Sequence, residues 1–404
     1  MSIDEGTVVE LVTERPATGG AVARLEDGRV AFVRLALPGE RVSARVTSVH
    51  KRFVRAEATE VIDASNDRVT PPCEYAGAGK CGGCDLQHAT DAAQRAWKSA
   101  IITDHLHRIA GIDRHVEVTA APSDPRGSRT RLRCGVDGHG RLGLRQSASN
   151  DVVALDDCWL ADSRLQVAFN HRWEHAREVE LRAIGSEEPF AVVHARRGGV
   201  EQLLATTLTG EPLARAGSVV HVGAHRFEIG PLSFWQSHRD APRLLSELVV
   251  SALGAATGDR VVDLYSGVGL FAVPVADVVG ATGRVDAVES SPDAAHDLRR
   301  NARGFDRLRT REWLVTPRAI NDLVYEGSLV VLDPPRSGAG AGVMAALTKR
   351  GPRRIVYVSC DAATFARDVK EARRGGFELT SLIAHDLFPM TEHVELVGVL
   401  DGPP

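Results

Sequence analysis

An apolar strand that runs into a glycine turn and then an apolar helix sets narrow limits on how this chain can fold. Residues 261–276 read VVDLYSGVGLFAVPVA, with Gly267 and Gly269 in the turn. From residue 241 onward helix and strand patterns alternate, and the strand segments read DRVVDLYSG, GRVDAVESS, SLVVLDPPRSG and RRIVYVSCD. Such alternation predicts a parallel sheet with helices on both faces. Sheets of this kind bind ligands beyond the carboxyl ends of their strands.

The first two strand ends indicate the kind of ligand. Asp263 closes the first strand, and Glu289 closes the next, where a carboxylate can accept hydrogen bonds from ribose hydroxyls. A dinucleotide site favours a third glycine, which seats the pyrophosphate on the helix N-terminus. The turn continues instead with Leu270. A cofactor without phosphates fits better, which favours S-adenosylmethionine.

Two further strand ends supply reactive groups. Asp333 precedes two prolines that fix the turn, and Cys360 ends the next apolar strand. An isolated cysteine is often a small buried hydrophobe. Cys360 follows an apolar strand just as Asp333 does, and this position at a strand end favours a nucleophile instead.

A thiolate has a clear use in the methylation of a pyrimidine. Its addition to carbon 6 makes carbon 5 nucleophilic, and a base must then remove the proton from carbon 5. Glu395 in FPMTEHVELVGVL is the candidate base, and Glu392 and His393 are close enough in sequence to compete. The alternative for Glu395 is a charge on the solvent face of an alternating strand.

The rest of the chain predicts additional domains. A length of 404 residues suggests two or three domains. The first sixty residues alternate apolar and polar positions between DG and PG turns, which predicts a small antiparallel barrel. Although the net charge is −4, arginines and lysines concentrate in residues 24–55 and 126–145. These two basic islands favour phosphate contacts with a nucleic acid over solvated faces.

Clustered cysteines indicate a metal site. Cys73, Cys81 and Cys84 lie within a dozen residues, and Cys158 is a possible fourth ligand. Thiolates suit zinc or an iron–sulfur cluster, and three close ligands with one distant favour the cluster. Inert or redox-active thiols are the alternative, and Cys134 is expected to be packed in a core.

Neither a secretion signal nor a membrane span is expected. The N-terminus, MSIDEGTVVELVTERP, lacks a basic start and an apolar core, and the apolar stretches are all too short to cross a bilayer. We therefore expect a cytoplasmic protein with no membrane contact and no obligate protein partner.

Taken together, these motifs resemble those of the RNA uracil-5-methyltransferases. The resemblance is to the branch with an N-terminal TRAM barrel and an iron–sulfur cluster that methylates ribosomal RNA. It runs over nearly the whole chain, through GGAVARLEDGRVAFVRLALPGERV, CGGCDLQH, FWQSH, DLYSGVGLF, LDPPRSG, YVSCD and FPMTEHVE.

The resemblance implies a multidomain α+β protein. Residues 1–62 would form the TRAM (OB-like) RNA-binding barrel, and residues 63–235 a central α/β domain that bears the cluster. Residues 236–404 would form a Rossmann-like, doubly wound methyltransferase domain. The family fold also implies that part of residues 90–125 packs with this catalytic domain.

The resemblance also assigns roles to residues. Cys360 would be the nucleophile and Glu395 the base, with Asp333 and Arg336 near the uracil. Cofactor contacts would come from the glycine turn and from Gln236, Tyr265, Glu289 and Asp333. A [4Fe-4S] cluster would be held by Cys73, Cys81, Cys84 and Cys158, with zinc as the alternative.

Some features depart from the family pattern. Seven residues separate Cys73 from Cys81 where the family usually has five, which weakens the assignment of Cys73. Leu270 replaces a frequent asparagine, and SGVG replaces the usual CG start of the turn. Family members that modify transfer RNA tend to lack the barrel and the cluster, so 23S ribosomal RNA is the favoured substrate.

Three alternatives remain. The first is a tRNA uracil-5-methyltransferase. The second is a non-catalytic RNA-binding or redox-sensing iron–sulfur protein, which the retention of both Cys360 and Glu395 opposes. The third is amine methylation of a base, which needs no thiolate.

Overall fold

The computed structural model describes residues 3–197 and 200–403. Its N-terminal part is a closed barrel in the strand order β1-β2-β3-β5-β4. The strands are β1 (Val8–Ala17), β2 (Gly20–Arg24), β3 (Val30–Arg34), β4 (Arg41–Val49) and β5 (Phe53–Asp63). The predicted barrel is therefore confirmed, although it is not wholly antiparallel. Strands β3 and β5 pair in parallel, because β4 crosses the barrel to pair with β1 and β5 returns from it in the direction of β3.

A helix connects the barrel to the rest of the molecule. Helix α1 (Asp91–His105) begins at Thr90, whose side chain accepts a hydrogen bond from the Ala93 N–H, and one turn of π-helix, Leu106–Ala110, extends it. Trp97 belongs to the core of the barrel, whereas Ile102 belongs to a core of the C-terminal sheet. The helix thus joins two hydrophobic cores.

The middle of the chain forms an antiparallel sheet. Its order is β12-β11-β10-β7-β8-β9, and a separate hairpin joins β13 to β14. A short 3₁₀ helix, Ser163–Asn170, packs beside this sheet. Cys134 is fully buried in the core of the sheet, as expected. The strands are β7 (Arg131–Val136), β8 (Leu142–Arg145), β9 (Val152–Ala154), β10 (Ala176–Arg182), β11 (Phe190–Arg197), β12 (Val200–Thr206), β13 (Ser218–Val222) and β14 (His225–Ile229).

Helices and strands alternate in the C-terminal part, as the sequence predicts. The helices are α2 (Ala241–Leu253), α3 (Ala272–Val279), α4 (Pro292–Asn301), α5 (Pro317–Leu323), α6 (Ala341–Arg350) and α7 (Ala362–Arg374). The strands are β15 (Arg260–Leu264), β16 (Arg284–Glu289), β17 (Leu308–Glu312), β18 (Leu329–Leu332), β19 (Arg354–Ser359), β20 (Glu378–Asp386) and β21 (Glu395–Asp401).

These strands form one mixed sheet together with β6 (Val118–Ala120). Its order is β17-β16-β15-β18-β19-β21-β20-β6. Strands β15 to β19 run parallel, but β21 lies antiparallel between β19 and β20. The expectation of a purely parallel sheet is therefore wrong at this edge. A short loop without a helix joins β20 to β21, and such a connection cannot make the crossover that parallel neighbours need.

Apolar side chains cover both faces of this sheet. In β15, Val262 and Leu264 point into one buried core and Val261 into the other. Burial on both faces explains the nearly continuous apolar strands of the sequence. None of the described helices has the length and apolar character needed to cross a membrane.

Candidate active site and cysteine cavity

Strand register brings three candidate catalytic residues together. In β19 and β21, Ser359 pairs with Leu396. Cys360 follows Ser359 and Glu395 precedes Leu396, so these two residues face each other on adjacent antiparallel strands. Asp333 follows β18, the other neighbour of β19. Glu395 is only 4% exposed, which excludes the alternative of a solvent-facing charge.

Burial dominates the electrostatics of these groups. It raises the pKa of the half-buried Cys360 thiol to about 11, with a further increase from Glu395 and an opposing effect of Arg336. Burial also raises the pKa of Asp333 to about 7. The pKa of Glu395 lies well above its usual range because of burial and the neighbouring Asp333. Burial therefore favours the thiol form of Cys360 and the protonated form of the Glu395 carboxyl group.

The glycine turn and the end of β16 form the rim next to this site. Glu289 accepts hydrogen bonds from the backbone N–H groups of Gly267 (2.9 Å) and Ser291 (2.6 Å). Gly269 has a φ of 98°, and a Cβ there would approach Leu298 Cδ1 to 2.9 Å. At Gly267 a Cβ would meet no atom within 4 Å. The turn therefore fixes the Glu289 carboxylate while it leaves open space beside Gly267.

Tyr265 and Gln236 complete the predicted cofactor residues. Tyr265 follows β15 with a left-handed φ of 61°, and the β15–β18 register places it beside Asp333. Gln236 is half-buried in the connection from β14 to α2, whose Ser237 carbonyl accepts a hydrogen bond from the Thr130 N–H at 2.8 Å. The cofactor roles of these residues stay predictions.

Asp263 is a polar residue that the sequence interpretation did not include among the site residues. It is 1% exposed, and the Ser266 side chain and the Ala272 backbone lie close enough to its carboxyl group to favour the charged form. Burial raises its pKa well above the usual range, and the charges of Asp333 and Glu289 raise it further. Its place near the end of the first strand of the sheet was the sequence signal that could have identified it as a site residue.

The predicted metal ligands lie around one small cavity elsewhere in the molecule. Cys73, Cys81, Cys84 and Cys158 line a space of about 20 Å³, together with Arg129. The remaining lining includes Tyr75, Gln87, Leu144, Leu155, Trp159 and Leu160. Cys73 lines the cavity despite its longer spacing from Cys81.

The CGGC segment needs both of its glycines. A Cβ at Gly82 would lie 2.5 Å from the Ser147 nitrogen, and one at Gly83 would lie 2.7 Å from Leu144 Cδ1. The Gly83 N–H donates to Cys81 Sγ at 3.4 Å. Close packing of the backbone against its neighbours thus brings Cys81 and Cys84 to the same cavity.

The donor set fits a group that binds several thiolates. All six cysteines are free, and burial raises the pKa of Cys84 to about 12. The charge of Arg129 acts in the opposite direction on Cys81, Cys84 and Cys158. Among the described residues, no three His, Cys, Asp or Glu side chains are grouped as ligands of a single metal ion. Both the cluster and zinc therefore stay predictions.

Ion pairs account for most of the second basic island. Arg131 binds Glu180, Arg133 and Arg145 bind Glu178, and Arg141 binds Asp156. In the barrel island, carboxylates also pair with Arg29, Arg34 and Arg41. The Arg55 guanidinium of this island lies about 6 Å from the ring centres of Phe32 and Phe53. The barrel island therefore retains more of the character expected of a nucleic-acid surface.

Two protein families match parts of this sequence. Residues 5–59 match the TRAM domain, and residues 224–401 match the tRNA (Uracil-5-)-methyltransferase family. The TRAM match coincides with the closed barrel, and the second match spans all the candidate catalytic residues.

Similarity to curated relatives extends over the whole chain. An RNA methyltransferase of Streptomyces avermitilis is 38% identical over 95% of this chain and 95% of the relative. The 23S rRNA (uracil(1939)-C(5))-methyltransferase RlmD of Edwardsiella ictaluri is 30% identical over 98% of this chain and 96% of the relative.

A solved structure shows the same fold. The tRNA (uracil-54, C5)-methyltransferase of Pyrococcus abyssi, in complex with S-adenosyl-L-homocysteine, matches with a TM-score of 0.71 and 24% identity. The match covers 96% of this chain and 100% of the other. From the curated relatives and the family matches, the chain belongs to the family of S-adenosylmethionine-dependent RNA uracil-5-methyltransferases.

Proposed function

We propose that the protein transfers a methyl group from S-adenosylmethionine to carbon 5 of a uridine in 23S rRNA. The observation that carries the catalytic assignment is the register of β19 and β21, which sets Cys360 opposite the buried Glu395. Asp333, at the end of the adjacent strand, belongs to the same catalytic group.

The proposed cofactor site lies along the rim from β15 to β18. Glu289 is already held by two backbone N–H groups and would accept hydrogen bonds from the ribose hydroxyls of the cofactor. The open space at Gly267 leaves room for this ligand. Tyr265, Gly269, Gln236 and Asp333 would line the rest. Asp263 adds a carboxyl group that is only 1% exposed, which suits a polar or cationic part of the ligand. Bound S-adenosylmethionine supplies the electrophilic methyl group.

The proposed reaction uses Cys360 and Glu395 in turn. Cys360 gives up its proton to solvent, and its sulfur adds to carbon 6 of the uracil. Carbon 5 then attacks the methyl group, and S-adenosylhomocysteine leaves. Glu395 then takes the carbon 5 proton, the carbon–sulfur bond breaks, and Cys360 leaves as a thiolate. Glu395 must be ionised before this step. Its raised pKa makes the carboxylate a stronger base once it forms.

The choice of 23S rRNA as substrate is supported by sequence similarity to other enzymes and not by a side chain that recognises a base. The RlmD enzymes act on 23S rRNA by name, and their similarity covers both the barrel and the catalytic part of this chain. The Pyrococcus neighbour acts by name on tRNA, which keeps tRNA as the second candidate. In either RNA, we expect an unpaired uridine that is turned out into the pocket.

We further propose that the cysteine cavity holds a [4Fe-4S] cluster, with zinc as the alternative. Support comes from the four thiols on one cavity and from the positive charge of Arg129 beside them. Bound to the four cysteines, the cluster would link residues 73–84 to Cys158. We also propose domain boundaries near residues 62 and 235, with α1 and β6 packed on the catalytic part.

One experiment tests the reaction and the substrate together. The protein is incubated with labelled S-adenosylmethionine and total RNA from cells that lack its gene, and 5-methyluridine is then mapped. If 5-methyluridine is mapped to 23S rRNA, the proposal is supported. If it is mapped to tRNA, tRNA takes the place of 23S rRNA as the proposed substrate. A methyl group on another atom contradicts the reaction. Iron and sulfide analysis after anaerobic purification decides between cluster and zinc.

A further inference from the structure

The loop that precedes Glu395 is held by three separate parts of the chain. We define residues 387–394, between β20 and β21, as the catalytic loop. The Met390 carbonyl accepts hydrogen bonds from the N–H groups of Asp85 (2.8 Å) and Leu86 (2.9 Å), immediately after the CGGC segment. Lys98 of α1 donates to the Phe388 carbonyl at 2.9 Å. The third contact comes from the barrel.

The barrel contact is a carboxylate held by a glycine turn. Both oxygens of Glu392 accept hydrogen bonds from the Gly19 N–H, at 3.0 and 2.8 Å. Gly19, between β1 and β2, and Gly20, the first residue of β2, have φ angles of 89° and 136°. Successive backbone N–H groups in such turns form concave anion-binding sites. The turn therefore provides a ready site for the Glu392 carboxylate.

The turn cannot move away or change residue easily. A Cβ at Gly20 would lie 2.6 Å from the backbone of Val33 in β3, so only glycine fits there. Gly19 is also confined, because a Cβ there would lie 2.8 Å from an Arg55 nitrogen. Glu392 is thus attached to a rigid corner of the barrel, three residues before Glu395.

We propose that Glu392 is a positioning residue, whose contact with the Gly19–Gly20 turn sets the place of Glu395 opposite Cys360. The barrel is then part of the catalytic apparatus and not only a surface for RNA. The inference rests on the proposed function for the role of Glu395, whereas the contact itself is independent of that role.

The charges around Glu392 agree with a half-buried, hydrogen-bonded carboxyl group. Burial raises the pKa of Glu392 to about 7, and the N–H groups of Gly19 and Gly20 act in the opposite direction. Asp85 raises this pKa further and Arg34 lowers it. Since Arg34 also binds Glu57 at 2.8 Å and Asp85 at 3.4 Å, its charge is shared among three carboxyl groups.

Hydrogen exchange tests the contact without any assumption about the reaction. The full-length protein is compared with E392A, E392Q and, as the matched control, E378A, which removes an exposed glutamate at the far end of β20. In E392A we expect exchange to become at least tenfold faster at Gly19, Gly20 and residues 391–396. E392Q, which keeps one acceptor oxygen, should show a smaller increase, and E378A none at these sites.

Kinetics then test the positioning role, with total RNA from cells that lack the gene as the probe. We expect kcat to fall about tenfold in E392A, with the KM for S-adenosylmethionine unchanged and partial recovery in E392Q. Unchanged exchange at residues 391–396 in E392A would overturn the proposal, as would faster exchange with an unchanged kcat. If the wild-type protein does not methylate RNA, the proposed function fails, and exchange at Glu395 alone decides whether Glu392 positions it.

Discussion

Cys360 and most of the cavity cysteines are half-buried, yet their neighbours differ. Cys360 follows a strand of the catalytic sheet, with Glu395 and Asp333 beside it and Arg336 as the opposing charge. Cys84 lies in a loop among other thiols, apolar side chains and the guanidinium of Arg129. Burial raises the pKa of both thiols, so burial alone does not distinguish a nucleophile from a metal ligand. The proposed nucleophile is distinguished by neighbouring carboxyl groups, and the proposed metal ligands by neighbouring thiols.

Removal of the Cys360 thiol is expected to have the largest effect. In Cys360→Ala, methylation should fall by about 10³-fold or more, because no thiolate can activate carbon 5. Iron content should stay at the wild-type value, since this cysteine lies outside the cavity. Methyl transfer from labelled cofactor and iron per chain are the two measurements. Residual methylation near the wild-type rate would refute the proposed nucleophile.

Substitution of the base should slow the reaction at a later step. In Glu395→Gln, we expect a rate loss of about 10²- to 10⁴-fold, which is the usual contribution of a general base. Because Cys360 leaves only after the carbon 5 proton is removed, a covalent RNA–protein adduct should accumulate. Denaturing gel electrophoresis detects this adduct, which should be absent from the double variant with Cys360→Ala. A rate loss without any adduct would place Glu395 before the addition step.

The pH dependence of thiol alkylation sharpens the electrostatic side of the comparison. With its pKa raised to about 11, Cys360 is almost entirely a protonated thiol at pH 7. Its thiolate fraction therefore rises about tenfold per pH unit, and about a hundredfold from pH 7 to pH 9. Mass spectrometry of the Cys360 peptide after brief iodoacetamide treatment measures the rate. If the alkylation rate reaches a plateau below pH 9, the pKa of Cys360 is lower than the structure indicates, and burial and the carboxyl groups do not oppose its ionisation.

Loss of one cavity cysteine should give the smallest of these changes in activity, but a clear change in metal content. We expect Cys84→Ser to lose most of its iron and sulfide, because serine is a poor ligand for iron in such clusters. Cys134→Ser is the control, since Cys134 is a fully buried cysteine of the central sheet that does not line the cavity. Equal iron loss in both variants would indicate general destabilisation of the central sheet rather than loss of a ligand.

Sequence predicted the parallel part of the site better than the antiparallel part. Asp333 and Cys360 follow two adjacent parallel strands, β18 and β19, whose carboxyl ends lie at the same edge of the sheet. Their proximity was therefore expected. Glu395 starts an antiparallel strand, and its position opposite Cys360 depends on a register that residue patterns do not specify. Reasoning from the reaction named Glu395 as the candidate base with Glu392 and His393 as competitors, and the family resemblance selected Glu395. The parallel pairing of β3 with β5 was missed for the same reason, because alternation gives the buried face but not the partner strand.

Strand β6 has a consequence for how this chain folds during synthesis. It completes the edge of the catalytic sheet by pairing Val118 with Ala384, about 260 residues later in the chain. At ordinary translation rates, the ribosome takes roughly 13–50 s to make that length. Throughout this time β6 has an apolar side chain, Val118, and no partner, while the barrel before it can already close. The pairing of β6 with β20 is therefore expected to form late in synthesis, as is the Gly19–Glu392 contact, which waits for a residue still farther along the chain.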